Sequence, residues 1–134
     1  AGAAETILID RAAPALPATD IDLVFDPVGG ALVRPALKAL RRGGRYLIIG
    51  FVGGRGDPLP LNRVLLKEIE VIGVRAGEYG RQDPEAGRRH IAAIDARAAL
   101  LRPRIGLSLP LERGAEAFAA MAAGRLDGKA VLLV

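Results

Sequence analysis

Ser108 and His90 are the only serine and histidine of this chain, and cysteine is absent. A Ser-His-Asp triad would need both, and no nucleophile elbow surrounds Ser108. His90 follows Arg88 and Arg89 in a helical pattern, the setting of a surface histidine rather than of a base or ligand. One histidine without thiols excludes disulfides, thiolate catalysis and metal sites built on His or Cys. The acidic residues are dispersed, with no pair spaced for general acid and base work. Tyr46 has no lysine four residues on, so it lacks the partner of a Tyr-Lys proton relay. GRLDGKA at 124–130 falls one residue short of a phosphate loop and carries Ala130 where Ser or Thr would meet magnesium, so it reads as a turn before a strand. The fingerprint G-x-G-x-x-G is missing, because GGRGD after Val52 has the wrong spacing.

What remains is a pair of strand ends. IDLVFDPVGG at 21–30 runs four apolar residues into an acid, a proline and two glycines, and RYLIIGFVGG at 45–54 ends in the same manner. In open parallel α/β sheets ligands lie just beyond the carboxyl ends of the strands. Glycine there lets backbone N–H groups approach a bound group, and a helix starting after Gly30 turns its positive end the same way. The same glycines equally suit plain tight turns, and spacing does not separate the two readings.

The elements that must position these ends follow from period and punctuation. Residues 5–10 read as a short strand, followed by the connection RAAPALPATD. Ile21 to Asp26 is the second strand, its continuous apolar run suiting a strand covered on both faces. In ALVRPALKALRR, Val33, Ala36, Leu37 and Leu40 form the stripe of an amphipathic helix that Gly43-Gly44 stops. Arg45 to Gly50 makes a third strand, residues 51–62 a loop, residues 63–67 a helical turn, and Glu70 to Arg75 a fourth strand. Asp83-Pro84-Glu85 opens a helix whose inner face is Ile91, Ile94, Ala98 and Leu101, and Pro103 ends it. Pro110-Leu111 opens a last helix that turns Ala115, Phe118 and Met121 inward, and Lys129 to Val134 closes the chain as a strand. Strand and helix in alternation imply a doubly wound parallel α/β sheet.

At 134 residues the chain is expected to form one compact unit. It is 51% hydrophobic and 25% charged, with no uncharged apolar run near the ~20 residues that span a bilayer. The formal charge of +4 raises nucleic acid as a partner. The basic residues are scattered in ones and twos without aromatic interleaving, which points to a solvated face instead. No membrane or nucleic-acid partner is expected, and a cytoplasmic address is.

Taken together, FDPVGG, GGRYLIIGFVGG, PLPLNRVLLKEIEVIGV, DPE, RPRI, PLERGAEAF and GRLDGKAVLLV stand in the order and spacing of the C-terminal part of the medium-chain dehydrogenases/reductases. The resemblance covers almost the whole chain and is strongest to the zinc-free NADPH:quinone oxidoreductase branch, similar to zeta-crystallin. It implies a partial Rossmann-type sheet over residues 1–80 and, over 81–134, helices and a strand returning to a catalytic domain. AGAAETILID then corresponds to the family's third strand, and the next three strands to its fourth, fifth and sixth. The GroES-like catalytic domain and the two strands bearing the glycine fingerprint would lie ahead of Ala1. The chain is therefore expected to be a fragment that is inactive alone. The alternative is a non-enzymatic, truncated interaction module that uses the dimer edge.

The resemblance also implies roles. Pro27 and Val28 match positions along the ribose and diphosphate of NADPH. Ile49, Gly50 and Phe51 match those lining the nicotinamide end, Ile72 and Val74 those near the carboxamide, and Lys129 a basic residue that reaches the diphosphate. It implies a quinone or enone acceptor for the parent enzyme and a homodimer through the edge strand at residues 70–75. RAAPALPATD replaces a helix of the family, so the first strand, or a second chain, is expected to pair with the open edge at residues 21–26.

Overall fold

The computed structural model describes residues 3–10, 13–56 and 58–134. Ala1 and Gly2 of the expected first strand, Arg11 and Ala12 of the connection after it, and Asp57 of the loop lie outside the described residues. The chain divides into two compact units, one spanning Ala4–Gly87 and the other holding Arg88–Val134. The expected single unit is therefore corrected.

The first unit carries a three-stranded parallel sheet in the order β1 (Ile21–Asp26), β2 (Leu40–Ile48), β3 (Glu70–Gly73). Between β1 and β2 run a short 3-10 turn (Gly30–Leu32) and α1 (Val33–Ala39), and between β2 and β3 lies α2 (Leu61–Lys67). Pro35 falls in the opening turn of α1, where its missing N–H costs no helical hydrogen bond. The chain passes from α1 into β2 without a loop, so Leu40 is buried from a strand rather than from the helix face expected of it. Residues 41–44 absorb the change as an irregularity, since Ile21 pairs with Leu40 while Leu23 already pairs with Arg45.

Register decides which side of the sheet is covered. Val24, Tyr46 and Val71 form one row across the three strands and pack with Ala36, Leu37, Leu40 and Ile69. Burying a leucine such as Leu37, which is 0% exposed, contributes roughly 1.5–3 kcal/mol. Lys67 fixes α2 in place, its Nζ donating to the carbonyls of Lys38, at 2.7 Å, near the end of α1 and of Leu40 at the start of β2. The neighbouring row, Phe25, Leu47 and Ile72, points to the other face, where Phe25 is 63% exposed and Ile72 is also open. Continuous apolarity implied two covered faces for β1. Only one is covered among the described residues, because period-2 geometry sends alternate side chains to opposite sides whatever their type.

Residues 5–10 form no strand, and β1 is the terminal strand of its sheet. The expected pairing of the first strand with β1 is thus overturned: the segment lends β1 no ladder among the described residues. A further helix unforeseen in the sequence, α3 (Ala76–Gln82), follows β3. Its two internal glycines hide any helical period.

α4 (Pro84–Asp95) starts as its sequence implied, the Asp83 carboxylate accepting the N–H of Ala86 at 2.9 Å. It ends earlier, at Asp95, and Ile91, Ile94 and Leu101 are exposed rather than inward. In the second unit β4 (Ile105–Pro110), a strand not foreseen, pairs in parallel with β5 (Lys129–Leu133). Pro110 ends β4 instead of opening a helix, which begins after a 3-10 turn (Leu111–Arg113) as α5 (Gly114–Ala122). Ala117 is the buried residue of α5, while Phe118 and Met121 face outward, contrary to the stripe drawn for them. GRLDG is the expected turn before the last strand. Both sheets are parallel, and the α/β class holds.

Candidate cofactor site

At the carboxyl end of the first sheet the two glycine turns are fastened to each other. The carbonyl of Asp26 accepts the N–H groups of Ile49, at 2.9 Å, and Gly50, at 3.3 Å. Beyond them Gly53 donates to the Val28 carbonyl and Gly30 to the Gly54 carbonyl, each at 2.8 Å. β3 joins the same group through the N–H of Val74, which donates to the Ile48 carbonyl at 2.9 Å. Pro27, Val28, Ile49, Gly50, Phe51 and Val74 are thereby brought to one ledge of main chain.

The close approach explains the glycines. Gly29 and Gly30 have φ of 66° and 61°, in the left-handed region that glycine enters without penalty. A methyl group at Gly30 would overlap the Gly53 carbonyl, and one at Gly29 would come within 2.8 Å of the Gly54 oxygen. Of the two readings open at the level of sequence, tight turning is part of the answer, and the neighbour approached so closely is the opposite turn.

Asp26 anchors the ledge from below and is the residue whose part the sequence did not disclose. It is 7% exposed, and its Oδ1 accepts the N–H groups of Val28 and Gly29, each at 2.8 Å, which shapes the turn after Pro27. Its Oδ2 accepts the hydroxyl of Tyr46, itself 2% exposed. Burial, reinforced by the hydrogen bond to Asp26 and by its charge, holds the Tyr46 hydroxyl well above the usual tyrosine range. The pair lies two positions apart across the β1–β2 ladder, a diagonal relation visible only once the register is known.

Two clefts flank the ledge. One, of about 500 Å³, is lined by Ile9, Pro14, Val28, Gly29, Val52 and Gly53 among others. The other, of about 370 Å³, is lined by Phe25, Ile49, Val74, Arg75, Glu78 and Arg81 with the first residues of α3. Ile49 and Val74 therefore share a cleft, Val28 faces a different one, and Gly50 and Phe51 line a smaller cavity with Asp26 and Tyr46. Ile72 stands on the open sheet face, two residues before Val74. Lys129 begins β5 in the other unit, exposed, its N–H donating to the Arg104 carbonyl at 2.8 Å. Such a ledge can hold and orient a flat, polar-edged ligand by backbone and apolar contact. Ser108 and His90, both exposed, belong to the other unit.

A family model described as "Zinc-binding dehydrogenase" matches residues 1–132. Quinone oxidoreductase-like protein 2 of Bos taurus is 32% identical over 114 residues, covering 84% of this chain and 33% of the relative. A putative alcohol dehydrogenase from Sinorhizobium meliloti 1021 superposes with a TM-score of 0.64 at 32% identity, over 84% of this chain and 29% of that one. A mycobacterial protein solved in complex with NADPH superposes with a TM-score of 0.68 at 22% identity, over 85% of this chain and 35% of that one. The chain thus spans about a third of the length of the relatives it matches. Among the described residues no three His, Asp or Glu side chains are grouped to hold a metal ion. Those residues by themselves do not fit a zinc site. No helix of the described residues is long and apolar enough to cross a membrane.

Proposed function

Because the chain belongs to the zinc-binding dehydrogenase family and corresponds to the C-terminal part of the medium-chain dehydrogenases/reductases, we propose that it forms one wall of an NADPH site in a quinone or enone oxidoreductase. When bound, the dinucleotide supplies the hydride. The residues of the first unit bind and orient: Pro27 and Val28 along the ribose and diphosphate, Ile49, Gly50 and Phe51 along the nicotinamide, and Ile72 and Val74 at the carboxamide edge. The observation that carries this reading is the ledge itself, in which the carboxyl ends of three parallel strands are tied into one surface beside a cleft.

One wall alone supports weak binding. If a complete site holds the cofactor at about 1 μM, or roughly −8 kcal/mol, half of that interaction corresponds to a Kd of about 1 mM. Titration of this chain with NADPH, followed by amide NMR, is expected to shift Val28, Gly50, Phe51 and Val74 with an affinity in that range and to give no quinone turnover. Unmoved amides at those positions would refute the wall, and micromolar affinity or turnover would refute its incompleteness.

The same reading extends to assembly. β3 is the terminal strand opposite β1, and a homodimer joined through residues 70–75 would pair its edge. Sedimentation equilibrium is expected to return twice the 14.0 kDa mass of the chain, and a monomeric mass counts against the dimer.

A further inference from the structure

The cleft beside Ile49 and Val74 carries charge that holding the cofactor leaves unused. Its far wall is the start of α3, where Glu78 sits between two arginines. Arg81 is committed to that carboxylate, with Nη2 and Nε, the latter at 3.1 Å, donating to the same Oε2. Arg75 meets the same oxygen at 3.5 Å, an ion contact too long for a hydrogen bond. Two guanidinium groups and one carboxylate leave a net positive cleft. Among the described residues the Arg75 guanidinium is held by that long ion contact and donates no hydrogen bond, so its fork can still take a second, closer carboxylate.

We propose that this cleft recognises an anionic electron acceptor, an α,β-unsaturated carboxylate, through the Arg75 guanidinium. The proposal rests on the cofactor reading above. On that reading Val74 marks the carboxamide edge of the nicotinamide, so Arg75, the next residue, lies past the ring on the acceptor's side and away from the diphosphate. A guanidinium offers two parallel donors in a fork that matches a carboxylate. Phe25, Ile49 and Val74 supply apolar surface for the unsaturated carbons attached to it. Glu78 has a part as well: by engaging Arg81 it leaves a single positive charge in the cleft, enough for one carboxylate. A neutral quinone offers the fork of Arg75 no charge-assisted pair, which favours acids over neutral acceptors in this cleft.

Amide and guanidinium NMR on this chain tests the proposal, with crotonate, its methyl ester and sodium chloride compared at matched ionic strength. Crotonate is expected to shift Val74, Ala76, Gly77 and the Arg75 Nε–H in a saturable manner, while ester and chloride leave them in place. Arg75→Gln is expected to weaken crotonate about tenfold or more, and Arg75→Lys, which keeps the charge but loses the fork, to recover only part of that. Because Arg75 is exposed, neither variant disturbs the core. Equal responses to acid and ester, or crotonate affinity unchanged in Arg75→Gln, would overturn the proposal. The NADPH titration is read separately: NADPH shifts without a crotonate response reject this inference alone, and a crotonate response without NADPH shifts rejects the cofactor reading and leaves the anion site standing. If NADPH itself displaces crotonate, and Arg75→Gln weakens NADPH by the same factor, the arginine serves a cofactor phosphate and the acceptor assignment fails.

Discussion

Asp26→Ala is expected to be among the most damaging single substitutions in the first unit, lowering its unfolding free energy by about 3–5 kcal/mol. The carboxylate accepts the Val28 and Gly29 N–H groups and the Tyr46 hydroxyl at 7% exposure, so alanine strands three donors with little access to water. Tyr46→Phe removes one donor and leaves the two backbone bonds intact, for a smaller loss of about 1–3 kcal/mol. Urea unfolding of the two single variants and the double variant gives the coupling, and near-additive losses would show that the two side chains do not act as a pair.

The same pair sets an alkaline limit. The Tyr46 hydroxyl is raised above the usual tyrosine value of about 10, first by burial and then by Asp26. Its contribution is fully present below the unfolded value and is lost as pH rises toward the folded one, because in that window the unfolded tyrosine has released its proton while the folded one retains it. Stability is expected to fall by about 1.4 kcal/mol per pH unit above ~10 in wild type, and Tyr46→Phe to remove that part of the slope. An unchanged slope in Tyr46→Phe would refute the assignment.

Gly30→Ala is expected to cost on the order of 3 kcal/mol or more. Two effects add: a left-handed φ of 61° that alanine resists, and a methyl group driven into the Gly53 carbonyl. The turns can separate only by giving up the bonds from Gly30 to Gly54 and from Gly53 to Val28. Gly54→Ala is the control, because Gly54 also has positive φ, 95°, but nothing stands within 4 Å of its added methyl group. Thermal unfolding that ranks the two variants equally would mean that strain, not the clasp, carries the loss. The NADPH-induced shifts should weaken in Gly30→Ala and persist in Gly54→Ala.

Much of this architecture is legible in the sequence where local signals are strong. The boundaries of β1 at Ile21 and Asp26, the opening of α4 at Asp83-Pro84 and the start of β5 at Lys129 all follow from apolar runs and their punctuation. What failed was inference from apolarity to burial. A stripe such as Ile91, Ile94 and Leu101 tells which side of a helix is apolar, but whether something covers that side depends on another element being present. Residues 5–10 failed for a related reason, since an extended apolar segment becomes a strand only when it finds a ladder. β4 was hidden by Gly106, Ser108 and Pro110, residues weak in strand propensity that its pairing with β5 overrides. At the site, the glycine turns were visible as turns. The Asp26–Tyr46 bond was not, because it joins residues twenty apart in sequence whose proximity depends on register.

The clasp between the two turns has a consequence for how such a protein can change. Its bonds run from main chain to main chain, so the side chains of Val28, Phe51 and Val52 carry none of them. Those three positions can exchange size and polarity while the peptide groups beneath them keep their places. Mutational drift can therefore re-cut the surface a ligand meets without first having to rebuild the frame that presents it, provided that the glycines and the buried aspartate are left alone.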